Sequence, residues 1–144
     1  MRCFAGVAQS GEVLVNTTTA DYQGSPAIAM APNGDYAVIW TSNGQDDTST
    51  NLGIFGQVYS AGGAAKGGEF QINTYGADTQ QVPSLAMDDA GNFIVTWASQ
   101  NQDGSNYGIF AQLFDNDGVA LGSEFQVNAN PDFDQSKPSF YYVR

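Results

Sequence analysis

The feature that most constrains this chain is a duplication. Residues 12–63 and 69–118 carry the same pattern, and the pattern begins a third time at "EFQVNANPDFDQSKPSF". Glu12, Glu69 and Glu124 stand 57 and 55 residues apart, and Pro26, Pro83 and Pro138 repeat both spacings. Trp40 and Trp97 are 57 apart. Between Asp46 and Gly53 the first copy is two residues longer, with "DDTSTNLG" against "DGSNYG", which marks a loop because insertions fall in loops. Matches at Asn16/Asn73, Gln23/Gln80, Gln45-Asp46/Gln102-Asp103 and Gln57/Gln112 make this a true internal repeat. A period of this length belongs to stacked units, in which each small unit buries its apolar face only against a neighbour. The chain divides into an N-terminal segment (1–11), a first repeat (12–68), a second (69–123) and the start of a third (124–144).

Each copy reads as four short strands. They are 26–31 and 83–88, then 36–42 and 93–99, then 53–59 and 108–114, then 69–73 and 124–128. The second strand of each copy, "YAVIWTS" or "FIVTWAS", is an almost unbroken apolar run with β-branched residues, which predicts burial on both faces. The last alternates, with Phe70 and Ile72 on one face and Glu69 and Gln71 on the other. "PNGD" and "DAGN" are tight turns, with Gly34 and Gly91 supplying the positive φ. Residues 12–16 are read as a fourth strand and 138–143 as a first strand of further units. No stretch of ten residues has helical periodicity, so the expected class is all-β. Four antiparallel strands in about 55 residues suit the blade of a β-propeller; a β-sandwich is the alternative architecture.

The pattern "EFQVN…Q..PS.AMD..GNF.V.WASQ.QDGS.YGIFAQ.FD..G...GSEF" resembles a repeat that recurs in tandem in large secreted or surface proteins of bacteria. The resemblance covers residues 12 to about 140. It implies a propeller-like array, an extracellular or cell-surface setting, and a binding or structural role. The departure is in number, since only two copies are complete.

Two blades alone would leave apolar sheet faces and strand edges open. Several chains closing one ring, chains adding end to end as a filament, or a place within a longer chain would each cover them. The terminal "SFYYV", with Phe140, Tyr141, Tyr142 and Val143, is read as a core strand or as a docking strand for a partner copy.

Composition narrows the function classes. Four cations (Arg2, Lys66, Lys137, Arg144) face fifteen acids, for a net charge of −11. No basic patch can be assembled from them, which argues against nucleic acid and anionic lipid as partners. No apolar run reaches the ~20 residues that span a membrane. The chain has no His, so the commonest general base is missing, and its single Cys3 cannot pair within the chain. Neither a Ser-His arrangement nor a GxSxG elbow is present. The expectation is a protein that is not an enzyme and that partners itself.

Candidate sites lie in the repeated loops 43–51 and 100–108. Asp46, Asp47 and Asp103 are the residues that would hold calcium, the one cofactor these oxygen-rich loops suit. The preferred alternative is an Asx-turn, in which the carboxylate caps backbone N–H groups. Asp46, Asn51, Asp103, Asn106 and Tyr107 form the candidate glycan-facing group. "DNDG" at 115–118 and Asp88-Asp89 are read as turns. Trp40 and Trp97 are read as core. Gln57 and Gln112 are expected to bond between sheets or to line a channel.

Overall fold

The computed structural model of the chain describes residues 11–46, 51–104 and 106–129. They form two four-stranded antiparallel sheets and no helix, so no described helix could cross a membrane. Sheet A runs β1 (Gln23–Met30), β2 (Tyr36–Asn43), β3 (Leu52–Tyr59), β4 (Phe70–Gln71), in that spatial order. Sheet B repeats it with β5 (Gln80–Met87), β6 (Phe93–Gln100), β7 (Tyr107–Phe114) and β8 (Phe125–Gln126). Both sheets are simple meanders, because each connection is too short for anything but an antiparallel return.

Register follows from the hairpins. Gly34 and Gly91 hold φ of 92° and 88°, which a residue with a Cβ adopts only with strain. The turns bring Met30 opposite Tyr36 and Met87 opposite Phe93, and the ladders run on to Asn43↔Leu52 and Gln100↔Tyr107. In β1 and β5 the register slips, between Gly24 and Ala27 and between Gln81 and Ser84. At those bulges Ser25 and Val82 sit at φ of 49° and 53°, just before Pro26 and Pro83.

The alternation in β2 and β6 puts Ala37, Ile39 and Thr41 on one side of sheet A and Phe93, Val95 and Trp97 on one side of sheet B. These two sides face each other. The core between them holds Ala37, Ile39, Ile54, Val58 and Ile72 from sheet A, and Leu85, Phe93, Val95, Trp97, Phe110 and Phe114 from sheet B. Phe93 stacks on Phe114 at 5.1 Å, and Phe70 of sheet A tilts against Phe114 at 5.5 Å. The middle strands are largely buried on both faces, as their apolar runs predict; Trp97 lies in this core, and Trp40 is buried on the opposite side of sheet A.

Three strand expectations need correction. β1 and β5 begin three residues earlier than expected, because the bulge lets the strand pass its proline. β4 and β8 keep only two paired residues instead of five. Residues 12–16 form no strand, since the only third strands in the described chain, β3 and β7, are already paired with β4 and β8. The 138–143 segment, with Phe140, Tyr141, Tyr142 and Val143, lies outside the described residues.

Candidate functional site

The repeated loops are tied to the strands and loops around them. The Asp103 carboxylate accepts a hydrogen bond from Gln126 Nε2 at 2.9 Å, which ties the loop to β8. It lies over Gly108, where a Cβ would come within 2.5 Å of its oxygen. Asp46 lies over Gly53 in the same way, at 3.3 Å. Asn51 Nδ2 donates to the carbonyl of Ala77 at 2.8 Å, and the Asn106 carbonyl accepts from the Asn101 amide at 2.9 Å. Tyr107 opens β7 on the side of Ile109, Ala111 and Leu113, whereas Gly108, under Asp103, belongs to the opposite side. Asp47 lies outside the described residues, and among the described residues no three His, Cys, Asp or Glu side chains gather as a metal site.

The turns hold as expected. Asp88 Oδ1 accepts from the Ala90 and Asn92 amides at 2.9 and 2.8 Å, and Asp115 Oδ1 accepts from Asp117 and Val119. The Asn92 side chain, followed by the turn amides, holds the Asp88 carboxyl below the usual carboxylate range. Gln57 and Gln112 do not bond between sheets. Each donates to its own sheet, to the carbonyls of Val58 and Gly67 or of Leu113 and Gly122.

The residues that organise the repeats are ones the sequence reading used only as register marks. Glu69 receives Gln45 Nε2 from its own sheet on one carboxylate oxygen. Its other oxygen accepts the Thr17 amide at 2.8 Å and Thr17 Oγ1 at 2.9 Å, 52 residues away in sequence. Glu124 repeats the arrangement with Gln102, the Thr74 amide at 2.8 Å and Thr74 Oγ1 at 3.1 Å. Each glutamate thus clamps the β2–β3 or β6–β7 loop of its own sheet to the exit from the preceding repeat, through charge-assisted bonds. Asparagine completes the exit. Asn73 Oδ1 accepts from the Ile54 amide and Asn128 Oδ1 from the Ile109 amide, both at 2.7 Å. Asn73 Nδ2 also reaches Gln80 Oε1 at 3.0 Å and the Tyr75 carbonyl at 2.8 Å. In the first copy Asn16 Nδ2 donates to the Thr18 carbonyl at 2.6 Å, while the buried Gln23 Oε1 has no partner among the described residues.

One link is not repeated. Lys66 Nζ lies 3.5 Å from Asp35 in its own sheet, 2.9 Å from Asp117 in the other sheet, and 2.8 Å from the Asn116 carbonyl. The Asp117 hydrogen bond raises the Lys66 pKa above its ordinary value. The equivalent position in the second copy is Leu121.

The two sheets offer repeat-equivalent residues in different surroundings. Leu85 is 9% exposed against sheet A, but its counterpart Ile28 is 62% exposed. Ile72 is 2% exposed against sheet B, but Val127 is 46% exposed. Leu113 is likewise exposed where Val58 is buried. The chain therefore carries both halves of its own interface a second time, each with exposed apolar residues that no described sheet covers. One is the side of sheet A with Ile28, Met30 and Val38, and the other is the side of sheet B with Ile94, Leu113 and Val127. Beside the first lies an open hollow of about 210 Å³ lined by Val15, Asn16, Gln23, Pro26, Val38 and Trp40. The Tyr59 hydroxyl donates to the carbonyl of Val15, one of these lining residues, at 3.4 Å, and burial, then Tyr36 and Glu69, raise the Tyr59 pKa.

No family model matches the sequence, and no curated protein matches it. Among solved structures the chain is similar to an endo-arabinase from Bacteroides thetaiotaomicron, at 13% identity and a TM-score of 0.48. The match covers 74% of this chain and 43% of that one, so the chain spans less than half of that structure's length.

Proposed function

We propose that this chain is a non-enzymatic, propeller-like repeat module of the bacterial cell surface or exterior, with a structural or adhesive role. It works by stacking with further units of its own kind, in a ring or a filament. The observation that supports the reading is the difference between Ile28 and Leu85, and between Val127 and Ile72. The same positions are core where a neighbouring sheet is present and surface where it is not. Apolar area of this kind is worth roughly 25 cal/mol per Å² when covered, which favours association. The net charge of −11 opposes association at low salt, so screening should strengthen it. The Glu69 and Glu124 carboxylates are used to hold loops and exits, which supports a scaffold over a catalyst. Light scattering and electron microscopy of the purified chain, at low and high salt, test the reading. Rings or polymers that grow with concentration and salt support it. A compact monomer at every concentration overturns it, and a discrete particle retained on a glycan array would replace it with an oligomeric lectin.

A further inference from the structure

Residues 12–16 are dressed for a strand they do not form. "EVLVN" matches "EFQIN" at 69–73 and "EFQVN" at 124–128, both of which lie along a third strand, β3 or β7. The exit that follows already has the repeat geometry. Asn16 bonds the Thr18 carbonyl as Asn73 bonds that of Tyr75, and Thr17 docks on Glu69 as Thr74 docks on Glu124. The strand itself is missing its sheet, and Val13 and Leu14 are 66% and 70% exposed. Next to it, Ile28 and Met30 on sheet A are uncovered.

We propose that residues 12–16 are a donor strand for β7 of a second copy of this chain. The inference rests on the self-association reading and names its mechanism. β7 holds its own fourth strand through two paired residues, Phe110↔Gln126 and Ala111↔Phe125, with the Val127 amide on the Ile109 carbonyl and Asn128 Oδ1 on the Ile109 amide beyond them. In the exchanged arrangement Leu14 takes the place of Gln126 opposite Phe110, and Val13 that of Phe125 opposite Ala111. Asn16 Oδ1 then meets the Ile109 amide, as Asn128 Oδ1 does, and Glu12 meets Gln102, as Glu124 does. The same movement lays the Ile94 and Leu113 side of the incoming sheet over Ile28, Met30 and Val38, in the geometry that sheet A already has on sheet B. One docking event thus pairs the strand and covers both open sides. Donor and acceptor surfaces differ, so the contact is head to tail and gives rings or filaments rather than a two-fold dimer.

The experiment uses the full chain with Cys3→Ser to remove the native thiol. A Val13→Cys, Ala111→Cys variant is oxidised and run on a non-reducing gel, and a Val13→Asp, Leu14→Asp variant is followed by light scattering. Residues 13 and 14 are exposed, so the aspartates should leave the melting temperature of the single chain unchanged. The expected results are an intermolecular disulfide ladder and an association midpoint moved at least tenfold higher in concentration. Association that ignores the aspartates, or a disulfide formed only within one chain, overturns the donor strand and leaves self-association standing. A chain that stays monomeric overturns both.

Discussion

Sheets A and B have nearly the same sequence pattern, the same strand order and the same hairpins, yet they differ in what covers them. The Phe93, Val95 and Trp97 side of sheet B is sealed by sheet A, whereas the matching side of sheet A buries Trp40 but leaves Ile28 and Met30 exposed beside an open hollow. Burial at the Ile28 and Leu85 position is a property of the neighbour, not of the residue. The same Ile-or-Leu position belongs to the core in one copy and to the surface in the other, which a propensity argument about either copy alone would miss.

Substitution at that matched position should break the comparison most clearly. Leu85→Ala should destabilise by about 2–4 kcal/mol through lost burial and a residual cavity, and Ile28→Ala by less than about 0.5 kcal/mol. Equal costs in denaturant titrations of the two variants would mean that both sides are covered in the folded chain. The glutamate clamp is the opposite control, because both copies possess it in full. Glu69→Ala and Glu124→Ala should each cost roughly 1–2 kcal/mol by the same titration, with both measured in the Cys3→Ser background.

Acid should separate the copies next. The turn at 88–92 is held by a carboxylate with a depressed pKa, whereas the matching turn at 31–35 has Ala31 in that place. A depressed pKa contributes stability above the ordinary carboxylate range, and that stability is lost as pH falls through the folded-state value. Asp88→Asn should therefore flatten the acid limb of the stability profile, read from melting temperatures at pH 2–6, and leave its slope at higher pH unchanged. The smallest effect belongs to the unrepeated link. Lys66→Met should cost about 0.5 kcal/mol, less at high salt, because the Asp117 partner is largely in water. Double-mutant cycles with Asp117→Asn check it.

Much of the fold was legible because repetition exposes register. The spacing of Pro26 and Pro83 and of the two tryptophans located eight strands, and the unbroken apolar runs picked out β2 and β6 as the centre of each sheet. The bounds of β1 and β5 were not legible, because a proline inside a bulge looks like a proline before a strand. The 12–16 strand failed for a different reason. A strand is a relation between two segments, and its sequence says nothing about whether a partner is present. The candidate site was less legible still. Asp46 and Asp103 have the residue types of a ligand loop, but their oxygens lie over glycines of the next strand. The Glu69–Thr17 clamp was invisible for want of distance information, although the constancy of Glu12, Glu69 and Glu124 was a clue that could have been read as structural.

The bulges at Ser25 and Val82 reach beyond their own strands. β1 and β5 are the first strands of their sheets, with no described strand hydrogen-bonded to their far sides. Each carries a left-handed residue followed by a proline without an N–H, so neither offers an unbroken row of donors to a passing strand. Fusion of the two meanders into one continuous sheet is blocked along that margin, as is casual gluing to other proteins. The opposite margin, where β4 and β8 are short, carries no such bulge among the described residues.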